Sequence, residues 1–251
     1  MKRKHSIIVG GSRGVGRELA ALFAAEGQLV TAVGRNAEDG PPLSGGGQVF
    51  GFGGDAEHAE TLLEGLRGEV ERRGKLSSLA FLQRYRGGGD AWGGEWTVSV
   101  DATRRLIDGL ADSFDPDGDR SIVLVGSVAG TLIAPEQTAA YHVAKAALRQ
   151  LARYYAVRLG PRGVRVNVVS PCAFVKRESA AFYEGRRELR ELYARITPLG
   201  RMCTAAEVAR VAAFLCGPQA SFVTGQELHV DGGLSLRLQD SLAREVAGMT
   251  G

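Results

Sequence analysis

Three side chains in the middle of the chain have the chemistry to act together on a carbonyl or hydroxyl group: Ser127, Tyr141 and Lys145. Tyr141 and Lys145 are four residues apart in Ala-rich sequence of helical type, so we expect them on one helix face, about one turn apart. An ammonium near a phenol stabilises the phenolate and lowers the phenol's pKa from about 10. Tyr141 is therefore a candidate general acid/base, and Ser127 a candidate hydrogen-bond donor to the same substrate oxygen. The spacing alone equally describes a solvated helix face.

A glycine-rich segment near the N-terminus, residues 10–16, predicts a phosphate-binding loop. It lies between a short apolar strand at 6–9 and a helical pattern. Glycines allow a tight turn and close approach of a pyrophosphate, and the following helix N-terminus offers free N–H groups. A flexible turn is the alternative interpretation, but the strand–turn–helix context favours a dinucleotide site. The residues predicted to bind there are Gly10, Ser12, Arg13, Gly14, Val15 and Gly16.

The end of the second predicted strand, at 28–33, bears on which dinucleotide binds. An acidic residue at this point would bind the ribose 2′-hydroxyl of NAD, whereas the sequence continues with Gly34 and Arg35. Arg35 and Arg13 together could hold a 2′-phosphate through charge-assisted hydrogen bonds. The sequence therefore favours NADP(H) over NAD(H), although two ordinary surface arginines would look the same.

A further cofactor contact is expected after the third predicted strand, at 48–52. Asp55, followed by Ala56, could accept a hydrogen bond from an adenine amino group, or it could cap the helix predicted at 57–73. The two roles are compatible.

Strands and helices alternate along the chain, which predicts an α/β fold with right-handed crossovers. We expect one domain over residues 1–251, built on a Rossmann-type, doubly wound parallel sheet of about seven strands flanked by helices. Residues 37–47 are rich in turn formers, so the helix usual there should be short or missing. The charged, loosely periodic segment 173–200 is predicted to be a mobile substrate lid. A further helix is expected at 205–216, with Thr204 and Glu207 at capping-box spacing.

Composition narrows the classes of function. The formal charge is only +3, and basic and acidic residues are mixed, which disfavours nucleic-acid binding. No apolar run approaches membrane-spanning length. Three cysteines lack metal-ligand spacing, so we interpret them as reduced thiols of a cytoplasmic protein and expect no metal site.

From Ser6 to about Gly233 the sequence resembles the short-chain dehydrogenase/reductase family. This resemblance implies an NAD(P)-dependent oxidoreductase in which Tyr141 is the acid/base, Ser127 orients the carbonyl or hydroxyl, and Lys145 binds the nicotinamide ribose. It also implies a cofactor contact at Pro171 and a homotetramer or dimer formed through the helices at 95–113 and 140–159. The motifs that carry it are VGGSRGVG at 9–16, GR at 34–35, GDA at 54–56, VGSVAG at 125–130, YHVAK at 141–145, GVRVNVVSP at 163–171, PLGR at 198–201, EVARVAAFL at 207–215 and TGQELHVDGG at 224–233.

The sequence departs from the family's pattern at several positions. The Asn-Asn-Ala-Gly turn after the fourth strand is replaced by residues 81–84, which end in Arg84, where the family has a small residue beside the nicotinamide. The relay asparagine aligns with Ser99, whose main-chain carbonyl could preserve the relay. The other departures are Val9 for threonine, Cys172 for the glycine of the Pro-Gly pair, Lys176 for threonine, and a Ser127–Tyr141 separation one residue longer than expected.

The first hypothesis is an NADPH-dependent carbonyl reductase, or the reverse alcohol dehydrogenase, acting on a small molecule. Arg84, Arg86, Lys176 and Arg177 suggest an anionic substrate, although solvated surface cations would read the same. The alternatives are a dinucleotide-binding regulatory protein and a non-redox enzyme, such as a dehydratase or cyclase, on the same fold. The replaced asparagines favour the regulatory alternative, and the intact Ser127, Tyr141 and Lys145 oppose it.

Overall fold

The apolar runs predicted as strands form a parallel sheet in the computed structural model, which describes residues 3–249. Seven strands lie in the order β3-β2-β1-β4-β5-β6-β9, and β7 and β8 form a separate two-stranded sheet. The strands are β1 (His5–Val9), β2 (Leu29–Gly34), β3 (Gln48–Gly53), β4 (Leu76–Phe81), β5 (Arg120–Val125), β6 (Val164–Pro171), β7 (Phe174–Val175), β8 (Cys203–Thr204) and β9 (Glu227–Val230).

All six pairings of the seven-stranded sheet are parallel, and the chain order reverses between β1 and β4. Ligands of such open sheets bind in the crevice at the carboxyl ends of the strands, at the point where the order reverses. The prediction of a Rossmann-type, doubly wound sheet of about seven strands is confirmed.

Helices cover both faces of this sheet and bury two apolar cores. One core contains residues of β1, β4 and β5 with Leu66, Leu106 and Tyr155, and the other contains Phe23 and Val208. The helices are α1 (Gly14–Ala25), α2 (Ala59–Arg73), α3 (Ala91–Glu95), α4 (Ala102–Leu110), α5 (Ala139–Leu159), α6 (Ala180–Glu184), α7 (Arg187–Ile196), α8 (Ala205–Cys216) and α9 (Gln239–Val246).

Local signals account for several of these elements. No helix forms between β2 and β3, as the turn-rich sequence predicts. Helix α8 begins at the predicted capping box, in which Thr204 Oγ1 accepts from the Glu207 N–H at 3.3 Å and Glu207 Oε2 accepts from the Thr204 N–H at 2.9 Å. Within residues 3–249, no helix combines the length and the apolar character needed to cross a membrane.

The helix predicted at 95–113 differs from the prediction at its start and in its middle. It begins at Ala91, because Asp90 accepts from the N–H groups of Trp92 at 2.9 Å and Gly93 at 3.0 Å. Two glycines in the first turn hide this start in the sequence. A π-helical turn at Trp96–Asp101 then separates α3 from α4.

Residues 173–200 contain β7, α6 and α7, and β7 ties this segment to β8, directly before α8. Near the end of the chain, Gln239–Val246 forms α9, which packs against α7. Residues 1, 2, 250 and 251 of the predicted domain lie outside the described residues.

His5, the first residue of β1, is a buried titratable group within the sheet. Its ring makes hydrogen bonds with the Gly74 carbonyl at 2.9 Å and with Thr31 Oγ1 at 2.9 Å. Burial lowers the pKa of His5 below 6.5, and the Gly74 bond opposes this effect only in part. The folded protein therefore holds His5 neutral at a pH where the unfolded chain protonates it.

We expect the free energy of unfolding to fall as the pH is lowered through about 6.5, because only the unfolded chain takes up this proton. One proton limits the effect to about 1.4 kcal/mol per pH unit. Urea unfolding at pH 7.5, 6.5 and 5.5 measures it. His5→Gln should weaken this pH dependence, and His58→Gln, at an exposed position, should keep it. An unchanged slope in His5→Gln would contradict the prediction.

Candidate active site

The end of β5 and the first turns of α5 bring Ser127, Tyr141 and Lys145 to the same edge of the sheet. Ser127 follows β5 with extended backbone, and its Oγ accepts from the Ala129 N–H at 3.1 Å. Thr138 caps α5 by accepting from the Tyr141 N–H at 3.2 Å, which fixes where the helix begins. The Lys145 ammonium donates to the Val125 carbonyl, the last of β5, at 2.8 Å.

Two cations flank the Tyr141 ring. Lys145 Nζ lies 5.7 Å from the ring centroid, and Arg84 Cζ lies 4.6 Å from it. Lys145 is buried, with 6 % of its surface exposed. Burial lowers the pKa of Lys145 to about 8, Glu95 opposes this and Arg84 adds to it. The ammonium therefore stays charged at neutral pH, and a charged donor and a phenol stand side by side.

The glycine loop packs against the chain that leaves β4. Gly10 has φ +84°, and a Cβ at this position would lie 2.8 Å from the Gln83 backbone nitrogen, so a larger residue would push the two segments apart. Gly16 packs directly under the Gly10 carbonyl. The loop therefore turns tightly into α1, whose N-cap residue Arg13 makes no side-chain capping bond.

An anionic oxygen already lies at this helix N-terminus. The Gly14 N–H donates to Glu178 Oε1 at 3.2 Å, and Arg17 pairs with the same carboxylate at 3.2 Å. Burial would raise the pKa of Glu178, but the backbone N–H groups, including that of Gly14, and the cations Arg17 and Lys176 outweigh it and lower the pKa. The carboxylate occupies the place that a phosphate oxygen takes at such loops.

The predicted 2′-phosphate pair, Arg13 and Arg35, lines the same cleft. Arg35 Nε is 3.9 Å from Asp55 Oδ2, and Asp55 Oδ1 accepts from the Glu57 N–H at 3.0 Å. Asp55 thus caps a 3-10 turn at Ala56–His58. The helix predicted at 57–73 begins after this turn, at Ala59, without a side-chain cap of its own. The cleft, of about 710 Å³, is lined by the predicted residues Gly10, Ser12, Arg13, Gly14, Val15, Gly16, Arg35, Asp55, Ala56, Ser127, Tyr141, Lys145 and Pro171.

Ser99 is buried in the π-helical turn and is absent from this lining. Its hydroxyl donates to Glu95 Oε2 at 2.8 Å, and its carbonyl accepts from Thr103 Oγ1 at 2.7 Å. The carbonyl that the sequence nominated for a relay therefore has a side-chain partner. Through the Glu95 carboxylate, Ser99 is linked to Arg84, which lies over the Tyr141 ring.

Several cations converge on the cleft. Burial, followed by the charges of Arg13, Arg84 and Arg35, lowers the pKa of Arg86. Burial and the nearby arginines also lower the pKa of Lys176. Arg84, Arg86 and Lys176 line the cleft, whereas Arg177 does not. Three cations of like charge thus lie close together on the wall of this cleft.

Sequence reasoning missed two acids. Glu95 is 4 % exposed, and only its position four residues before Ser99 could have linked the two on one helix face. Glu178 lies in the charged segment 173–200, where no spacing rule connects it to Gly14, 164 residues away.

Comparisons with known proteins agree with this geometry. A family model described as "Enoyl-(Acyl carrier protein) reductase" matches residues 9–235. An oxidoreductase, asL5 of Sarocladium schorii, is 34 % identical, covering 92 % of this chain and 96 % of that protein. Galactitol 2-dehydrogenase (L-tagatose-forming) of Cereibacter sphaeroides is 30 % identical, covering 91 % and 94 %. The structure of a short-chain dehydrogenase/reductase from Mycobacterium ulcerans superposes with a TM-score of 0.81 at 28 % identity, over 99 % and 96 % of the two chains.

The chain belongs to the short-chain dehydrogenase/reductase family. It is an NAD(P)-dependent oxidoreductase that acts on a carbonyl or alcohol group of a small molecule.

Because Glu178 would compete with a dinucleotide phosphate for the Gly14 N–H and would repel it, we expect Glu178→Gln to tighten NAD(P)H binding. Exposed charge pairs contribute up to about 1 kcal/mol, so the gain should reach about fivefold. Titration by nicotinamide fluorescence measures the affinity. Glu184→Gln, at an exposed position of the same segment, is the matched control and should leave it unchanged. Weaker binding in Glu178→Gln would show that the carboxylate assists the cofactor instead.

Proposed function

We propose that this protein is an NADPH-dependent carbonyl reductase, or the reverse alcohol dehydrogenase, with Tyr141 as the general acid/base. The observation that carries the proposal is that Ser127, Tyr141 and Lys145 line the same cleft as the glycine loop. The relatives named above support it, since they are an oxidoreductase and a sugar-alcohol dehydrogenase.

The residues present fit a nicotinamide dinucleotide. The Gly14 N–H already binds a carboxylate oxygen, so the loop is competent for an anion. Arg13 and Arg35 would hold the 2′-phosphate of NADP, and Lys145 would bind the nicotinamide ribose. When bound, the nicotinamide supplies or accepts the hydride.

The protein's own part is to hold the substrate oxygen and to move a proton. Ser127 would donate a hydrogen bond to that oxygen, and Tyr141 would give up its phenol proton to it during reduction. Lys145 and Arg84 would stabilise the phenolate that is left. In the oxidative direction the phenolate takes the proton back. Four-residue Tyr–Lys spacing favours carbonyl over enoyl reduction, because related enoyl reductases usually place these residues farther apart.

The substrate class we propose is a small anionic carbonyl compound. Arg84, Arg86 and Lys176 face the cleft, and their mutual repulsion is relieved when a negative charge binds among them. Arg84 lies over the Tyr141 ring, so a substrate anion bound by it would lie close to the reacting carbonyl.

We also propose a cytoplasmic homo-oligomer. Trp96, Tyr154 and Val157, on the helices expected to form the subunit contact, are 50 %, 53 % and 80 % exposed, and apolar surface of this kind favours association. The free cysteines Cys172, Cys203 and Cys216 are in keeping with a reducing compartment.

NADPH should bind more tightly than NADH, and Arg35→Ala should reduce that preference. A hydrogen bond to a charged group contributes about 1.5–3 kcal/mol, so NADPH affinity should fall about 10- to 100-fold while NADH affinity stays the same. Fluorescence titration of both cofactors measures this. Arg244→Ala, on the exposed face of α9, is the control. Equal affinities unaffected by Arg35→Ala would contradict the preference for NADPH.

Tyr141→Phe should lower kcat about 10²- to 10⁴-fold, the range of general acid catalysis, without loss of NADPH binding. The substrates are pairs of ketones and aldehydes, in which one member carries a carboxylate group and the other does not. The member that carries the carboxylate should have the lower KM. Tyr154→Phe, an exposed position on the same helix, should retain full turnover. NADPH binding without turnover by the wild-type protein would favour the regulatory or non-redox alternatives.

A further inference from the structure

Glu95 is a buried acid that has no role in the proposed reaction as described above. Its side chain is 5 % exposed, and a buried carboxylate is costly unless cations or hydrogen-bond donors surround it. Ser99 Oγ donates to its Oε2 at 2.8 Å, and Arg84 Nε lies 3.9 Å from its Oε1. Because α3 packs against α5, the charge of Glu95 also acts on Lys145.

The two cations beside Glu95 are the two that flank Tyr141. Arg84 reaches the phenol ring from the chain after β4, and Lys145 reaches it from within α5. Two like charges around one ring repel each other, and because Lys145 is buried, solvent screens this repulsion only in part. A carboxylate beside both cations offsets the repulsion.

We infer that Glu95 is a positioning residue for Tyr141: its carboxylate holds Arg84 over the phenol ring and offsets the repulsion between Arg84 and the Lys145 ammonium. The inference rests on the proposed function only in making Tyr141 the acid/base. Ser99, at the position of the family's relay asparagine, then acts by orienting Glu95.

The sign of each neighbour's effect on Lys145 provides a test. The charged and titratable groups that face Lys145 are Glu95 from α3, Arg84 from the chain after β4, and Tyr141 from α5. Burial lowers the pKa of Lys145, Glu95 raises it and Arg84 lowers it. Neutralising Glu95 should therefore move the Lys145 titration to lower pH, and neutralising Arg84 should move it to higher pH. General damage to the fold would not give opposite signs.

The chain has only five lysines, so NMR of cofactor-free protein labelled at lysine 13Cε can follow Lys145 directly. Its signal is assigned by its loss in Lys145→Arg. Glu95→Gln should lower the Lys145 midpoint by about one pH unit or more, and Arg84→Ala should raise it. Glu60→Gln, which removes the exposed partner of Arg105, should leave the midpoint unchanged.

Turnover gives a second readout that a purely structural role would not move. In Glu95→Gln, the alkaline limb of the pH profile of kcat/KM should shift with the Lys145 midpoint. If Glu95→Gln does not fold, Ser99→Ala provides the test instead. Without the Ser99 hydroxyl, the Glu95 carboxylate loses the donor that orients it, so the Lys145 midpoint should again fall. A Lys145 midpoint unchanged in the folded variant or variants overturns the inference. Shifted midpoints in a protein without turnover would support the role of Glu95 and count against the proposed function alone.

Discussion

The burial of the Lys145 ammonium is the constraint on which the rest of the site depends. A cation with this little exposure needs an oxygen acceptor and a counter-charge. The acceptor is the Val125 carbonyl at 2.8 Å, which is available because β5 ends where α5 passes over the sheet. The counter-charge comes from Glu95, on a different helix. The Lys145 side chain therefore links the positions of β5, α3 and α5. Tyr141 lies beside this side chain.

The cleft contains two regions that favour negative charge, one at the glycine loop and one beside Tyr141. At the glycine loop, the Gly14 N–H and Arg17 attract an anion. In the structure that anion is the Glu178 carboxylate of the same chain. Near Tyr141, fixed cations surround a group that becomes negative when it loses a proton. Both regions favour negative charge, but the first does so mainly through backbone N–H groups and the second through two side-chain cations, the buried Lys145 and the partly exposed Arg84.

The sequence predicts the fold well where a strand is a continuous apolar run and where a helix begins at a recognisable cap. The helix at 205–216 follows from Thr204 and Glu207, and the missing helix after β2 follows from the turn formers at 37–47. The glycine loop and the Tyr141–Lys145 pair are local patterns, so they are visible too. Glu95 and Glu178 are not, because their partners lie on other elements and only the packing of α3 on α5, and of the 173–200 segment on α1, brings them together. The start of α3 was hidden by its glycines.

The π-helical turn at Trp96–Asp101 lets one helical rod serve two neighbours. Before the turn the rod packs against α5, and after it the rod packs against α2. Each residue of an α-helix advances the direction of its side chain by about 100°, and a π-turn contains one residue more than the α-turn it replaces. Loss of that residue would rotate Glu95 by about this angle relative to α4. The extra residue therefore sets the rotation of α3, which carries Glu95, relative to α4. An insertion or deletion in this segment would change the direction in which Glu95 points.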